Sequence, residues 1–375
     1  MFIAGDASGD ILGAELITAL RQRLGEGATF FGAGGPAMEG AGLELLDDFT
    51  RNGVFGFDAV LKLLEFRRRF QRLLAVAKER RPEVLVCVDF AGFNRRFAHA
   101  VKEHVRRERG AWQPKVIQYV SPQVWASRPG RADKMAKDVD LLLTIFPFEK
   151  AWYAQRLPQM RVEFVGHPIV ERYGERPSAP RPFNAAAPTI LLLPGSRPGE
   201  LRQHLPVLRE TLERIRAVIP ATRAEMVLPD RLQALAREIG LPEGVRMQSA
   251  LAEALREADL ALAKSGTITL ECAYFGVPSV VLYRASAITH AIARCIMSVR
   301  WIAMPNILAG EEVFPEFLQH EANAANLSRA ALELMQDAGR RTTVQEKLRG
   351  IAASLGEKGA SGRAAEMIIR LVDHK

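Results

Sequence analysis

The 375-residue sequence is poor in cysteine, with only Cys87, Cys272 and Cys295, and no two of them have CxxC spacing. This scarcity excludes a disulfide framework and a structural zinc site built from cysteine pairs, and it fits a reducing compartment. The first residues, MFIAGDASGD, contain no basic segment followed by an apolar one. We therefore expect no secretory signal and a cytoplasmic location.

Long apolar runs are also missing. The uncharged stretch from Pro182 to Ser196 is short and contains Pro182, Pro188 and Pro194, whereas a membrane span needs about 20 apolar residues. We expect any contact with a membrane to be peripheral. No GxGxxG follows the first predicted strand, which disfavours an NAD dehydrogenase.

No cluster of histidine, cysteine and carboxylate residues has metal-ligand spacing. Asp138 and Asp140 form a DxD pair, but they precede a predicted strand rather than follow one. We expect neither a metal nor any other cofactor.

The net charge of +8 favours a partner that carries phosphate, or an anionic membrane surface. Basic proteins of this size are nevertheless common, so the charge alone does not decide the function. With 48% hydrophobic residues, the chain can build two domains with large cores.

Short apolar runs alternate with longer amphipathic stretches, which is typical of βαβ units and parallel sheets. The predicted strands are Phe2–Gly5, Thr29–Gly32, Val84–Asp89, Val116–Val120, Leu141–Ile145, Thr189–Pro194, Ala224–Leu228, Val245–Gln248, Leu260–Ala263 and Ser279–Tyr283. Helices are predicted at Asp10–Leu24, Asp58–Arg80 and Asn94–Arg109. The proline-rich segment 174–188 reads as a linker. We predict an α/β fold with two Rossmann-like domains, residues 1–173 and 189–375, whose sheets face each other across a cleft, the last helices being able to pack back on the first domain.

Two strand–turn–helix segments of the second domain are candidates for binding a diphosphate. Glycine exposes backbone N–H groups at a helix N-terminus, and an arginine can hold a phosphate with two bonds. The candidates for the donor site are Gly195, Ser196, Arg197, Ser265, Gly266, Thr267 and Glu271. The Glu271 carboxylate suits a ribose, although it could equally be a solvated helix carboxylate.

Asp89 ends the apolar strand VLVCV and is the candidate general base, because ligands bind at the carboxyl ends of parallel strands and an apolar wall raises the pKa of a carboxyl group. The alternative is a cap for the helix near Asn94. Two further groups of residues are candidates for the acceptor side of a cleft. They are Ser8, Gly9 and Asp10 in the first turn, and Ser121, Trp125 and Arg128 after a later strand. A tight turn capped by Asp10 and core packing of Trp125 are the structural alternatives.

The stretch 54–81 combines large apolar residues with arginines, which is typical of an amphipathic helix at a lipid surface. A core helix with a solvated basic face is the alternative, and the spacing of Leu63, Phe66, Phe70, Leu73, Leu74 and Ala77 supports packing along one face. The candidates for membrane or acyl-chain contact are Val54, Phe55, Phe57, Leu61, Leu64, Arg67, Arg68, Arg69 and Arg72.

Several segments together resemble the lipid-A-disaccharide synthases, glycosyltransferase family 19. The resemblance runs in order from Ile3 to about Glu312. It rests on AGDASGD, GAGGPAM at 32–38, VDFAGFN at 88–94, YVSPQVWA at 119–126, FPFEKAWY at 146–153, FVGHP at 164–168, LLLPGSRPGE at 191–200, AKSGTITLE at 263–271 and MPNILAG at 304–310.

The resemblance implies a GT-B fold and an inverting, metal-independent transfer of diacylglucosamine from UDP to diacylglucosamine 1-phosphate, forming a β-1,6 bond at the cytoplasmic face of the inner membrane. It implies Asp89 as the base and adds Asn306 to Arg197 and Glu271 in the nucleotide site. The chain departs from the family pattern at Gly92, where a second carboxylate is common.

A UDP-sugar epimerase of the same architecture and a non-catalytic UDP-sugar-binding protein are the rival interpretations. The apolar and basic stretch 54–81 favours the transferase. Whether the chain forms a homo-oligomer is left open, and no nucleic-acid partner is expected.

Overall fold

The computed structural model describes residues 1–50, 59–174, 182–285 and 297–373, with the side chains of 59–63 also outside the description. The chain divides into two compact units, one formed by Met1–Arg172 with Leu355–Lys375 and the other by Tyr173–Ser354. None of the described helices is both long and apolar enough to cross a membrane.

The first unit is built on a seven-stranded parallel sheet of order β3-β2-β1-β4-β5-β6-β7. Its strands are β1 Phe2–Ala4, β2 Phe31–Gly34, β3 Glu44–Asp48, β4 Val84–Val88, β5 Lys115–Tyr119, β6 Leu141–Thr144 and β7 Val162–Phe164. Its helices are α1 Ala7–Leu24, α2 Pro36–Gly40, α3 Ala59–Arg80, α4 Ala91–Glu108, α5 Gly130–Met135, α6 Pro147–Arg156 and α7 Ile169–Tyr173, the last ending at the border with the second unit.

The second unit is built on a six-stranded parallel sheet of order β10-β9-β8-β11-β12-β13. Its strands are β8 Thr189–Leu193, β9 Arg223–Val227, β10 Arg246–Gln248, β11 Leu260–Lys264, β12 Ser279–Tyr283 and β13 Glu316–Leu318. The described helices of this part are α8 Pro198–Val218, α9 Asp230–Ile239, α10 Leu251–Glu257, α11 Thr267–Tyr274, α12 Met304–Ala309, α13 Ala324–Gln336 and α14 Ala338–Ser354.

The parallel order explains why the predicted strands were apolar throughout: both faces of β4, β8 and β11 are covered by helices, and nearly every residue in them is buried. The prediction of two Rossmann-like halves is confirmed. The helix predicted at Asp58–Arg80 is confirmed as α3, whose Phe66, Phe70, Leu73, Leu74 and Ala77 contribute to the core of the first unit.

The sequence analysis placed the segment from Leu355 onward in the 189–375 domain and allowed its last helices to pack on the first domain. In the structure this segment belongs to the first unit. Its helix, α15 Ala360–Asp373, packs on α1. The His167 N–H donates to the Leu355 carbonyl at 2.8 Å, and Arg363 Nε donates to the Val165 carbonyl at 2.8 Å. These bonds fix the returning chain on the edge of the first sheet.

Asp10 was predicted as an acceptor contact, with a cap of its own helix as the alternative, and the structure contradicts the cap. Asp6 is the N-cap of α1, because its carboxylate accepts the Gly9 N–H at 2.8 Å. The buried Asp10 carboxylate instead accepts the backbone N–H groups of Gly35, Ala37 and Met38 at 2.8, 2.9 and 3.0 Å. Asp10 therefore joins α1 to the N-terminus of α2.

We expect Asp10→Asn to lower the free energy of unfolding of the first unit. An amide offers one acceptor oxygen instead of two, so at least one buried N–H loses its partner, at a cost of about 1–3 kcal/mol. Urea denaturation measures the change. Asp6→Asn is the matched control, because an asparagine still caps α1. Equal losses in the two variants would contradict the role of Asp10.

Candidate functional site

A cavity of about 450 Å³ opens in the second unit where β8, β9 and β11 end. Parallel strands end at the same edge of a sheet, and ligands of open α/β sheets bind there. The cavity is lined by Leu193, Gly195, Ser196, Arg197, Glu200, Val227, Leu228, Pro229, Ser249, Leu251, Lys264, Gly266, Thr267, Ile268 and Glu271. It thus contains six of the eight residues predicted for the donor site.

The turn between β8 and α8 has the geometry of an anion-binding turn. Gly195 has a φ of 117°, which disfavours any side chain, and Pro198 occupies the first turn of α8. Arg197 is the N-cap residue, and its side chain is 66% exposed. The free N–H groups of this helix end and a solvent-facing guanidinium can together hold a phosphate.

His204 fixes this turn through two hydrogen bonds to the backbone. Its Nε2 accepts the Arg284 N–H at 3.1 Å, so Nδ1 carries the proton and donates to the Pro194 carbonyl at 2.8 Å. Burial lowers the pKa of His204, which keeps the ring neutral and preserves both bonds. The PGSR turn is therefore tied to the end of β12.

The second predicted turn lies between β11 and α11. Gly266 has a φ of 152°, and Thr267 begins the helix within the cavity wall. Ser265 is buried instead: its N–H donates to the Leu282 carbonyl at 3.0 Å and its hydroxyl donates to the Ile302 carbonyl at 3.0 Å. Ser265 thus fixes the turn from behind.

Glu271 is buried, yet its carboxyl group reaches the cavity wall. Its Oε1 accepts a hydrogen bond from the Tyr173 hydroxyl at 2.7 Å. The bond orients the carboxylate, and carboxylate oxygens are acceptors for the hydroxyl groups of a sugar.

Asn306 is completely buried, and the structure gives its amide four protein partners. Nδ2 donates to the Phe314 carbonyl and to Glu316, and Oδ1 accepts the Val313 and Phe314 N–H groups, all at 2.8 Å. In the described part of the chain, Asn306 and Ser265 do not line the cavity. Direct contact of these two residues with the donor stays a prediction.

Two charged residues of the cavity were missed by the sequence analysis. Glu200 lies in the first turn of α8 and Lys264 ends β11, and their side chains form an ion pair at 3.1 Å. A charged residue at the end of a buried strand was the signal that identified Asp89. The same signal is present at Lys264.

Asp89 follows β4 in the first unit with a φ of 46°, and Phe90 has a φ of 42°. Two consecutive left-handed residues other than glycine are uncommon, and such strain concentrates at functional sites. Burial and then the nearby negative charge of Asp6 raise the pKa of Asp89, and the Phe90 amide opposes them. The predicted increase in basicity is confirmed.

Backbone contacts hold Asp89 in this conformation. Its N–H donates to the Tyr119 carbonyl at 2.8 Å. Its carbonyl accepts from Asn94 Nδ2 at 2.9 Å and from Gln118 Nε2 at 3.1 Å. The alternative of a helix cap is not supported, because Phe90 is the N-cap residue of α4. Asn94 and Gln118 are thus positioning residues, which the sequence analysis did not identify.

The turn between β1 and α1 packs closely against Phe90, the residue after Asp89. A Cβ on Gly5 would lie 2.1 Å from the Phe90 ring, so only glycine fits there. Ser8 is exposed and Gly9 is buried at the start of α1. Ser8 is therefore the member of this group whose side chain is open to solvent.

Ser121 and Trp125 lie in the interior rather than on a rim. Trp125 Nε1 donates to Glu149 Oε1 at 2.9 Å, and Ser121 Oγ lies 3.1 Å from the Tyr153 hydroxyl. Burial raises the pKa of Glu149 to about 7. The alternative of core packing is therefore correct for Trp125, and the network fixes the loop after β5.

Arg128 is exposed at the end of this loop, with a φ of 57°. Arg95 and Arg131 are close enough to influence the same region: after burial, the charges of Arg128 and Arg95 lower the pKa of Arg131. Three like charges near one another favour an anionic ligand. The sequence analysis identified only Arg128 of this group.

The basic face of α3 is only partly available. Arg67, Arg68 and Arg72 are exposed, and Leu64 is 48% exposed. Arg69 instead pairs with Asp47 at 3.2 Å and Glu65 at 2.7 Å. The candidates Val54, Phe55 and Phe57, and the side chain of Leu61, lie outside the described residues.

Solved structures of similar fold include the glycosyltransferase of kitacinnamycin, with a TM-score of 0.62, 21% identity and coverage of 98% of both chains. A UDP co-structure of MnaA from S. aureus has a TM-score of 0.61 and 13% identity, and covers 99% of this chain and 96% of that one. These similarities show the GT-B fold alone.

The sequence comparisons are more specific. The family model described as lipid-A-disaccharide synthetase matches residues 1–369. The lipid-A-disaccharide synthase of Anaeromyxobacter dehalogenans (strain 2CP-C) is 36% identical, over 98% of this chain and 96% of the relative. That of Bradyrhizobium diazoefficiens is 38% identical, over 98% and 95%. The chain therefore belongs to the lipid-A-disaccharide synthase family, the glycosyltransferases that form the disaccharide of lipid A.

Proposed function

We propose that the enzyme transfers 2,3-diacylglucosamine from UDP to 2,3-diacylglucosamine 1-phosphate, forming the β-1,6 bond with inversion and releasing UDP. The observation that carries this proposal is the constrained, partly buried Asp89 in a chain that matches the family over its whole length. Rival epimerase chemistry has no comparable support, because the epimerases among the structural neighbours share only the fold.

The donor is assigned to the cavity of the second unit. The diphosphate is bound by the Gly195–Arg197 turn and by the N-terminus of α11 at Gly266 and Thr267. Glu271 accepts hydrogen bonds from the ribose hydroxyl groups. Ser265 fixes the second of these turns through its hydrogen bond to Ile302, and Asn306 is held by the backbone near Phe314. Arginine and helix N-termini supply the positive charge, so the proposal requires no divalent cation.

The acceptor is assigned to the first unit. Arg128, with Arg95 and Arg131, suits the 1-phosphate, and Ser8 and Gly9 lie in the turn next to Asp89. Asp89 removes the proton from the primary hydroxyl as that oxygen attacks the anomeric carbon. The bond from this carbon to the UDP oxygen breaks, and its electron pair leaves with UDP. One base opposite the leaving group suffices for inversion.

We expect Asp89→Asn to reduce turnover by about 10²–10⁴-fold, the usual contribution of general-base catalysis. The affinity for UDP should stay unchanged, because the donor residues belong to the second unit. Mass detection of the disaccharide in excess EDTA and calorimetry with UDP measure the two quantities. Glu39→Gln, at an exposed carboxylate of α2, is the control. Near-normal turnover in Asp89→Asn would show that Asp89 is structural.

We expect Asp6→Asn to move the acid limb of the kcat/KM profile to lower pH. Asp89 must be ionised to act, so activity falls as pH drops through its raised pKa. Removing the Asp6 charge lowers this pKa, while asparagine retains the cap of α1. Glu39→Gln should leave the limb in place. An unmoved limb in Asp6→Asn would exclude Asp89 as the titrating group.

The enzyme is further proposed to act as a peripheral protein on the cytoplasmic face of the inner membrane. Its substrates carry acyl chains, and α3 presents Arg67, Arg68 and Arg72 to solvent beside Leu64. Exposed arginines attract anionic headgroups, and the attraction is screened by salt. Arg69 contributes less to this face, because it is paired with Asp47 and Glu65.

Neutralising Arg67, Arg68 and Arg72 together by glutamine should reduce binding to phosphatidylglycerol vesicles by about 100-fold at low salt, since each arginine contributes about 1 kcal/mol. Vesicle sedimentation measures the effect. The control neutralises Arg202, Arg214 and Arg237, three exposed arginines of the second unit. Equal losses from both sets would refute α3 as the membrane face.

A further inference from the structure

Glu200 contacts the basic residues of the proposed donor cavity. Its Oε2 accepts the Ser196 N–H at 3.1 Å, and its Oε1 lies 3.1 Å from Lys264 Nζ and 3.4 Å from Arg197 Nη1. A Cβ on Gly195 would come within 2.5 Å of Glu200 Oε2, so the carboxylate lies directly on the turn.

These three donors are the groups that a diphosphate would need. A backbone N–H at a helix N-terminus, a guanidinium and an ammonium are the usual partners of phosphate oxygens. The Glu200 carboxylate therefore makes the contacts that an anionic ligand would make. Its side chain is 15% exposed and that of Lys264 is 17% exposed, so both border the open cavity.

Partial burial raises the pKa of Glu200, but Lys264, Arg197 and the Ser196 amide outweigh it, and the net pKa is below the usual value. The carboxylate is thus ionised at neutral pH. Lys264 Nζ also lies near Gly266, 3.4 Å from the position of a Cβ on that residue, at the second turn of the cavity. Lys264 can therefore reach an anion bound between the two turns.

We propose that Glu200 is a built-in counter-anion which the donor diphosphate displaces, and that Lys264 is a further phosphate-binding residue released by this exchange. The inference rests on the proposed donor site. The ion pair with Glu200 compensates the charge of the partly buried Lys264. When the sugar is transferred, Glu200 competes for the same cations and favours release of UDP.

The sign of the effect of Glu200→Gln tests the exchange. If Glu200 must be displaced, removing its charge should tighten UDP binding by about tenfold or more, as expected when a like charge is removed next to a phosphate. If Glu200 only positions Arg197 and Lys264, the same change should weaken UDP binding. Lys264→Gln should weaken UDP binding in either case, and this loss would identify Lys264 as the second cation, beside Arg197, that binds the diphosphate.

Calorimetry with uridine, UMP and UDP provides the readout. The gain in Glu200→Gln should grow with the number of phosphates and vanish for uridine. Glu238→Gln, an exposed carboxylate of α9, changes the net charge equally and should leave all affinities unchanged. A Glu200→Gln variant that binds UDP no more tightly than the wild type overturns the exchange.

The wild-type protein offers a second test that does not depend on a variant folding. In a structure determined with UDP, Glu200 should have left Lys264, with Nζ now contacting a phosphate oxygen. Retention of the 3.1 Å pair beside bound UDP would refute the displacement. If the wild type binds no UDP, the donor site itself is wrong, and that failure is distinct from the failure of the exchange alone.

Discussion

Both units depend on one kind of interaction, the hydrogen bond from a backbone N–H group at a helix N-terminus to a carboxylate. Parallel sheets begin a helix at the same edge where each strand ends, and each such helix leaves backbone N–H groups without partners. Asp6 and Asp10 accept such N–H groups at the starts of α1 and α2. Glu149 does so at α6 and Glu200 at α8. Asp10 and Glu149 are buried, whereas Glu200 borders a cavity.

The central strands were predictable because burial on both faces forces continuous apolar runs. The strands that the sequence analysis missed, β3, β7 and β13, are edge strands of the two sheets. In β3 the sequence ELLDD carries three carboxylates, and its residues are only partly buried or exposed. An edge strand pairs on one side only, so it needs less apolar sequence and its pattern resembles that of a loop.

The positions of the candidate residues Asp89 and Gly195–Arg197 were predictable because strand ends determine them, whereas the direction of a side chain was less predictable. Polar residues within a motif can face the ligand or the interior, and the sequence does not distinguish these. Ser265 and Asn306 face inward and bond to backbone groups. Gln118 was missed for the converse reason: it lies within the apolar strand β5, yet its amide holds the Asp89 carbonyl.

Both units hold candidate site residues in arrangements that are unfavourable in themselves. Asp89 has a left-handed backbone, and burial and Asp6 disfavour its ionised form. Arg197 and Lys264 lie close together and are compensated by a carboxylate that borders the cavity. Strain and unfavourable charge of this kind persist only where surrounding contacts outweigh them. Asn94, Gln118 and His204 supply those contacts, so the same buried hydrogen bonds that stabilise the turns also fix the positions of the candidate site residues.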